Sequence, residues 1–310
     1  MFMGLARNTL LWISENRKLR QGLPKYKFIR RAVSRFMPGE QLDDALAAAE
    51  RLRRQSINTV LTLLGENVTD EPEARHEVEH YVEMLRQINK RGLDTHVSVK
   101  LTHLGLDLNE GLCVNNLLAI VAEAKALNNM VWIDMEQSQY VDRTIDVYKK
   151  VRKTYSNVGL CLQSYLYRTE KDLEILLPHL PAIRFVKGAY KEPPSVAFRK
   201  KSDVDANFFK LTRTLLGHTR NGAKLVAGTH DMELVRATQE EAERMGLART
   251  DYEFHLLYGI QANEQMKLAR EGYSVRVLIS YGNFWFPWYV RRLAERPANV
   301  WFVVRKMFSS

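Results

Sequence analysis

Short apolar runs alternate with longer stretches of helical spacing along this chain from about residue 57 onward. The short runs are rich in β-branched residues, which is typical of buried strands, and the apolar spacing between them predicts amphipathic helices. These helices include residues 70–91, 141–154 and 232–245. The predicted strands are NTVLTLLG (58–65), HVSVKLTHL (96–104), MVWIDME (130–136), VGLCLQSYL (158–166), IRFVKGAY (183–190), KLVAGTHD (224–231), YEFHLLYG (252–259) and SVRVLISYG (274–282).

This alternation indicates the fold class. Strands that are regularly separated by helices pair in parallel through crossovers, and eight such units fit a closed barrel. We therefore predict an α/β protein with a (β/α)8 TIM-like barrel over residues 57–310, with a doubly wound open sheet as the alternative. Residues 1–56 are predicted to form an N-terminal helical arm packed against the barrel.

Composition places the chain among folded globular proteins, with 45% apolar and 26% charged residues. Cys113 and Cys161 show no C-x-x-C spacing, which argues against a disulfide framework or a thiolate metal site and favours a reducing compartment. The sequence shows no apolar run of the roughly 18 to 20 residues that a membrane span needs, and no signal peptide. The predicted location is the cytoplasm.

Charge is distributed unevenly, because residues 1–36 hold nine Lys or Arg against the single Glu15, within a net charge of +10. Apolar residues interleave with these charges, so the segment could lie peripherally on an anionic membrane. A solvated face packed on the main domain explains it equally well. A noncatalytic membrane-associated or nucleic-acid-binding protein is a further alternative, although no nucleic-acid motif accompanies the charge and we expect no such partner.

The stretch HEVEH (76–80) matches the H-E-x-x-H zinc peptidase motif. In a helix over residues 70–91, however, His76 and His80 point almost opposite the apolar Val78 and are predicted to face solvent. No third ligand is evident. We therefore predict no metal site and keep a zinc peptidase only as a disfavoured alternative.

Polar side chains stand at the ends of the predicted strands, where barrel enzymes gather their active sites. The sequence thus predicts an active site at this end of the barrel. A strand-end lysine such as Lys187 also leaves a Schiff-base aldolase open. The polar strand-end residues are Glu66, Lys100, Asp134, Glu136, Gln163, Lys187, Thr229, His230, Asp231 and Tyr258.

The segment PWYVRRLAERP (287–297) places two adjacent arginines in a helix predicted over residues 284–296, after the eighth strand. Arg291 and Arg292 share a face with Trp288, and Glu295 can pair with either arginine. Guanidinium groups suit a carboxylate or phosphate through paired hydrogen bonds. We expect the start of this helix to lie at the barrel mouth.

Eight motifs in order resemble the FAD-dependent proline dehydrogenase family, in its monofunctional bacterial type, over about residues 57–306. The resemblance implies a distorted (β/α)8 barrel with noncovalent FAD. It implies oxidation of L-proline to 1-pyrroline-5-carboxylate in proline catabolism, by hydride transfer to flavin N5. The motifs are LLGE (63–66), VSVKLTHLG (97–105), WIDME (132–136), LQSYL (162–166), RFVKGAYKEP (184–193), AGTHD (227–231), EFHLLYG (253–259) and RRLAERP (291–297).

The same resemblance assigns roles on the substrate side. Arg291, Arg292 and Lys100 would hold the substrate carboxylate, and Glu66 and Glu295 would form a gate that closes the site. The catalytic residues would be Asp134, as an orienting and charge-balancing partner, and Arg184, near flavin N5. Further substrate contacts are expected from Leu278, Trp288, Tyr190 and Leu257.

The resemblance also assigns the positions that contact FAD, and the residues found there have side chains suited to that role. They are Met135, Gln163, Arg184, Lys187, Gly188, Ala189, Thr229 and His230. The usual electron acceptor of the family is a membrane quinone. Such a partner would give residues 1–36, or the tail VWFVVRKMFSS (300–310), a reason to touch the bilayer.

Three positions depart from the family pattern. Leu278 stands where a tyrosine of a Y-x-P-Y-G motif packs on the substrate ring and discourages hydroxylated proline. The same chemistry on hydroxyproline or another cyclic imino acid therefore stays open. Trp288 replaces a common tyrosine, and His255 stands where glutamine is frequent.

Overall fold

The computed structural model describes residues 33–65, 67–286 and 288–290. Its eight strands are all parallel and follow one another around a closed barrel, in which β8 pairs with β1. The predicted α/β barrel is confirmed, and an open sheet is excluded because it would leave its edge strands unpaired. The strands are β1 Asn58–Leu63, β2 Thr95–Val99, β3 Val131–Ile133, β4 Val158–Gln163, β5 Ala182–Val186, β6 Lys224–Gly228, β7 Tyr252–Leu257 and β8 Ser274–Tyr281.

Each pair of consecutive strands is joined through a helix, as parallel pairing requires. The predicted helices over residues 70–91, 141–154 and 232–245 are all found, with ends that differ by one or two residues. The helices are α1 Leu42–Arg53, α2 Glu71–Lys90, α3 Glu110–Ala126, α4 Val141–Arg152, α5 Thr169–Leu176, α6 Lys201–Leu216, α7 Met232–Arg244 and α8 Ala262–Arg270.

Successive strand residues face opposite sides of the barrel wall. One set, which includes Phe185 and Phe254, is buried in the large apolar core between strands and helices. The opposite set fills the barrel interior with a smaller apolar cluster of Val60, Met130, Trp132, Ala182 and Val226, against which Leu278 packs. This apolar cluster fills the middle of the interior, below its carboxyl-terminal end.

Helix α1 packs against both β1 and β8 and buries Ala45, Leu46, Ala48 and Ala49. In a regular barrel this outer position belongs to the helix that follows β8. Here the helical residues after β8 join a separate apolar cluster that includes Leu64, which directly follows β1. Because Leu64 lies at the carboxyl end of β1, the start of this helix lies at the barrel mouth, as predicted.

The boundary between arm and barrel at residue 57 stays a prediction, since residues 1–32 lie outside the described ranges. Within those ranges, no helix combines the length and the apolar character that crossing a bilayer requires.

One prediction for helix α2 is wrong. His76 is exposed, but His80 is half-buried, and its Nε2 lies 2.5 Å from the hydroxyl oxygen of Tyr281. His80 lies at the edge of the buried face of α2, next to Tyr81, so its side chain can reach Tyr281 at the end of β8. A helical wheel cannot include that neighbour. Across the described ranges, no three His, Cys, Asp or Glu side chains are grouped as a metal site would require.

Candidate active site

Four side chains from three strands meet at the carboxyl-terminal end of the barrel. Asp134, which follows β3, accepts a hydrogen bond from Lys100 at 3.1 Å and from the Ser98 hydroxyl at 2.7 Å. Arg184, within β5, donates from Nη2 to the same carboxylate and to Ser98 Oγ at 3.1 Å. The structure therefore brings together the predicted residues Lys100, Asp134 and Arg184.

The electrostatics of this group favour an anion. Burial acts to raise the pKa of Asp134, but the charges of Lys100 and Arg184 outweigh it, so the pKa lies below its usual 3.8. Burial acts to lower the pKa of Arg184, but the charge of Asp134 outweighs it and raises that pKa. One carboxylate thus stands between two cations, and the remaining positive charge suits a small anionic ligand.

The guanidinium of Arg184 is almost fully enclosed, with 3% of the residue exposed. Its Cζ lies 5.4 Å from the centre of the Trp132 ring, and Nη2 is bonded as described. Nη1 is buried and has no hydrogen-bond partner among the described residues. Because an unmade hydrogen bond to a buried charged group is costly, this donor indicates a missing polar partner.

Gln163, at the end of β4, shows a similar gap. Its Nε2 donates to the carbonyl oxygen of Met135 at 3.3 Å. Its Oε1 is buried and finds no partner in the described part of the chain, and the residue is 3% exposed. Gln163 and Arg184 lie on adjacent strands, so one flat ligand with donors and acceptors on its edge could meet both needs.

The loop after β5 carries the predicted positions 187–190. Gly188 has φ of +112°, and a Cβ atom there would overlap the ring of Tyr165. Only glycine fits such a backbone, and the absent side chain lets the Tyr165 ring pack directly on the loop. Ala189 and Tyr190 follow and are half-buried.

Lys187 begins this loop and bonds to two carboxylates, Asp205 at 2.5 Å and Asp231 at 2.8 Å. Lys201 contacts the same two carboxylates, which closes a four-membered charge cluster. Burial acts to raise the pKa of Asp231, but Lys187 and Lys201 together lower it far below the usual range. This pairing disfavours the Schiff-base alternative, which needs an uncharged amine in apolar surroundings.

Thr229 and His230 lie after β6, beside the end of β7. The Asp231 amide donates to Thr229 Oγ1 at 3.1 Å, and the Leu257 amide donates to His230 Nε2 at 3.3 Å. The His230 carbonyl also accepts from Gln261 at 2.9 Å. The predicted residues Thr229, His230 and Leu257 are therefore brought to one edge of the mouth.

The remaining predicted residues divide into two groups. Leu278 is the partner of Leu257 across β7 and β8 and packs against the interior cluster. Trp288 is buried in the separate apolar cluster that includes Leu64. The proposed clamp and gate residues fall outside the described ranges, so their positions stay predictions: Glu66, Arg291, Arg292 and Glu295.

Sequence reasoning missed Ser98 and Trp132. Ser98 precedes Lys100 by two positions and Trp132 precedes Asp134 by two, so each pair shares the inward face of the strand or its extension. This two-residue period is the sequence signal that could have placed Ser98 and Trp132 beside the site. By contrast Glu136, one of the strand-end residues, bonds the amide and hydroxyl of Thr102 and supports the wall instead.

Comparison with known proteins identifies close relatives. The family model for proline dehydrogenase matches residues 45–305. The chain is 38% identical to proline dehydrogenase 2 of Bacillus subtilis (strain 168) over 278 residues, covering 90% of this chain and 91% of that one. It is 34% identical to proline dehydrogenase of Deinococcus radiodurans over 308 residues, covering 98% of both.

A solved structure shares the fold. Proline utilization A (PutA) from Bdellovibrio bacteriovorus, inactivated by N-propargylglycine, superposes with a TM-score of 0.80 at 21% sequence identity. The match covers 93% of this chain and 38% of the PutA chain. At this identity the likeness bears on the barrel fold alone.

Proposed function

The chain belongs to the proline dehydrogenase family, oxidoreductases that act on proline in its catabolism, and we propose that it oxidises L-proline to 1-pyrroline-5-carboxylate with FAD. The observation that carries this proposal is the pair of buried unpaired groups, Arg184 Nη1 and Gln163 Oε1, beside the Lys100–Asp134 ion pair. A flavin ring offers both a hydrogen-bond acceptor and a donor along one edge. Lys100 and Arg184 together outnumber the one carboxylate of Asp134, which leaves positive charge for an amino-acid carboxylate.

The residues present fit the cofactor. Gln163 and Arg184 would bond the ring edge, and Met135 would contact it from the loop after β3. Gly188 and Ala189 would admit it closely, while Lys187, Thr229 and His230 would hold its ribityl and phosphate portion. FAD, when bound, supplies at N5 an acceptor for the hydride that leaves the ring carbon next to the substrate nitrogen.

The chain's own residues would bind and orient the substrate. Lys100 presents its ammonium to the carboxylate, and Asp134 fixes the position of Lys100 while balancing its charge. Arg291 and Arg292 would complete the grip, and Glu66 and Glu295 would close the site and exclude water. Holding a small substrate at several points aligns its reacting carbon, which supplies much of the rate enhancement.

Leu278 carries a second candidate, the same oxidation of a hydroxylated proline or another cyclic imino acid. Its aliphatic side chain covers the interior cluster and offers no hydroxyl to the substrate ring. We propose L-proline as the main substrate and treat trans-4-hydroxy-L-proline as the competing one.

The electrons would pass to a membrane quinone, with residues 1–36 or the tail at 300–310 touching an anionic bilayer. The motivating feature is the basic, apolar-interleaved sequence of residues 1–36. Co-sedimentation of the full chain with anionic liposomes tests this. If deletion of residues 1–36 leaves sedimentation unchanged, the N-terminal version is ruled out.

Anaerobic titration of the FAD-loaded protein tests the main proposal. L-proline should bleach the flavin absorption band, and trans-4-hydroxy-L-proline should do so at higher concentration. Lys100→Met should weaken bleaching by L-proline, whereas Lys171→Met, at an exposed site on α5, should not. A protein that stays colourless after FAD is supplied would overturn the proposal.

A further inference from the structure

The indole of Trp132 lies against the guanidinium of Arg184 inside the barrel, with 5.4 Å between Cζ and the ring centre. Trp132 is 1% exposed. Its partner across the neighbouring strand β4 is Gly159, where a Cβ atom would stand 2.5 Å from the indole carbons. The barrel therefore makes room for this large ring by omitting a side chain beside it.

Two histidines also contact the indole. Trp132 Nε1 donates to His96 Nδ1 at 3.2 Å, and His255 packs edge-on with ring centres 5.6 Å apart. His255 Nε2 in turn lies 3.1 Å from a carboxylate oxygen of Glu253. The ring is thus fixed by a hydrogen bond and by packing, in addition to its burial.

The contacts that begin at Trp132 and His255 continue to the amino-terminal end of the barrel. Glu253 accepts from Arg276 Nε at 3.1 Å, and Arg276 Nη1 donates to Asp94 at 2.8 Å. These ion pairs join Arg276 of β8 to β7, which carries both Glu253 and His255, and to Asp94, which precedes β2. A continuous set of contacts therefore links the amino-terminal end of the barrel to Arg184, beneath the site described above.

We propose that Trp132 is a positioning residue that acts through Arg184. Ser98 and Asp134 bond one edge of the guanidinium at Nη2, and the Cys161 thiol on β4 also interacts with it. The indole lies over the guanidinium, adds a further restraint and attracts the cation through its ring electrons. Arg184 Nη1 is thereby kept in position to donate a hydrogen bond to a ligand bound at the barrel mouth.

The inference rests on the proposed flavin chemistry and deepens it. A fixed cationic donor near the reactive edge of the flavin favours the electron-rich reduced ring over the oxidised ring. Loosening Arg184 should therefore weaken binding of reduced flavin more than binding of oxidised flavin. That difference appears directly as a more negative flavin midpoint potential, a quantity that loss of fold stability alone does not shift.

The test uses the FAD-loaded full chain with Trp132→Leu and Trp132→Phe. For Trp132→Leu we expect a roughly tenfold loss in preference for reduced flavin, which for a two-electron couple equals a shift of about 30 mV. The rate constant kcat with L-proline should fall while KM stays within about twofold, because Lys100 is untouched. Trp132→Phe keeps a ring face and loses the bond to His96, so its shift should be smaller.

Phe185→Leu is the matched control, because Phe185 is fully buried next to Arg184 but faces the outer core. It should lower the thermal unfolding temperature and leave the midpoint potential unchanged. A wild-type potential in Trp132→Leu, or an equal shift in Phe185→Leu, overturns the inference while the proposed function stands. A wild-type protein whose flavin L-proline cannot reduce overturns both.

Discussion

The ammonium of Lys100 and the carboxylate of Asp134 form an ion pair across the ends of strands β2 and β3, with Nζ and Oδ2 3.1 Å apart. The other carboxylate oxygen bonds Arg184 from β5. One acidic side chain therefore spaces two cations that would otherwise repel each other in a largely buried site. Its removal should disturb both the proposed substrate grip and the proposed flavin contact.

Asp134→Asn keeps the side-chain shape and removes the charge. We expect kcat/KM for L-proline to fall about 100-fold, or about 2.7 kcal/mol in the transition-state free energy. Steady-state kinetics with flavin content measured in parallel checks this. Asp146→Asn, at an exposed position of α4, is the control and should keep wild-type kinetics. Wild-type kcat/KM in Asp134→Asn would refute the role given to this carboxylate.

Gly188→Ala should destabilise the protein more than a glycine substitution that only strains the backbone. Position 188 combines φ of +112° with overlap against the Tyr165 ring, whereas Gly272 has φ of +83° and open space around its Cβ position. We expect a loss of about 3 kcal/mol in the free energy of unfolding for Gly188→Ala and about 1 kcal/mol for Gly272→Ala. Urea unfolding of both variants measures this.

FAD affinity separates the two glycine variants further. Gly188→Ala should weaken FAD binding, because the loop must move to relieve the overlap, and Gly272→Ala should leave it unchanged. Equal losses of unfolding free energy in the two variants would mean that the close approach at Gly188 has no energetic weight.

The barrel and the centre of its mouth follow from two local rules. Apolar runs separated by helices predict parallel strands, and their polar ends then converge. This reasoning places Lys100 and Asp134 together without knowledge of any distance, whereas Arg184, which lies within β5, is assigned to the site only through the family resemblance. It works because the carboxyl ends of parallel strands must meet at one end of a closed barrel.

What could not be predicted depends on partners distant in sequence. His80 contacts Tyr281, which lies 201 positions later in the chain, and no helical wheel contains that residue. Gly159 is visible in the sequence as a glycine within a strand, but its use as space for Trp132 depends on the register of β3 against β4. The placement of α1 between β8 and β1 likewise depends on where the last helix goes.

Leu278→Tyr should restrict the substrate range. A tyrosine at this position of β8 would extend from the interior cluster toward the mouth, where the substrate ring is proposed to lie. We expect the ratio of kcat/KM for L-proline over trans-4-hydroxy-L-proline to rise about tenfold, since added bulk and an unmatched hydroxyl both oppose the hydroxylated ring. Leu278→Met, which keeps an apolar side chain of similar volume, should leave the ratio near its wild-type value. An unchanged ratio in Leu278→Tyr would remove position 278 from the specificity argument.

His255 is buried beside Trp132, with 4% of the residue exposed. Burial lowers the pKa of His255 from its usual 6.5 to about 4, although the hydrogen bond to Glu253 opposes this change. The folded protein therefore keeps the imidazole uncharged at pH values where the unfolded chain protonates it. The unfolded state binds more protons between pH 6.5 and 4, so stability must fall as the pH drops through this range.

From this difference we expect His255 to account for a loss of about 2 kcal/mol in the free energy of unfolding between pH 8 and pH 5. His255→Gln cannot titrate but can still donate to Glu253, so its unfolding free energy should decline less over the same range, by about that amount. Urea unfolding at several pH values provides the comparison. His179→Gln, at an exposed position, should retain the wild-type pH dependence. If His255→Gln and the wild-type protein lose stability in parallel on acidification, the uncharged imidazole beneath Trp132 is not the group that titrates.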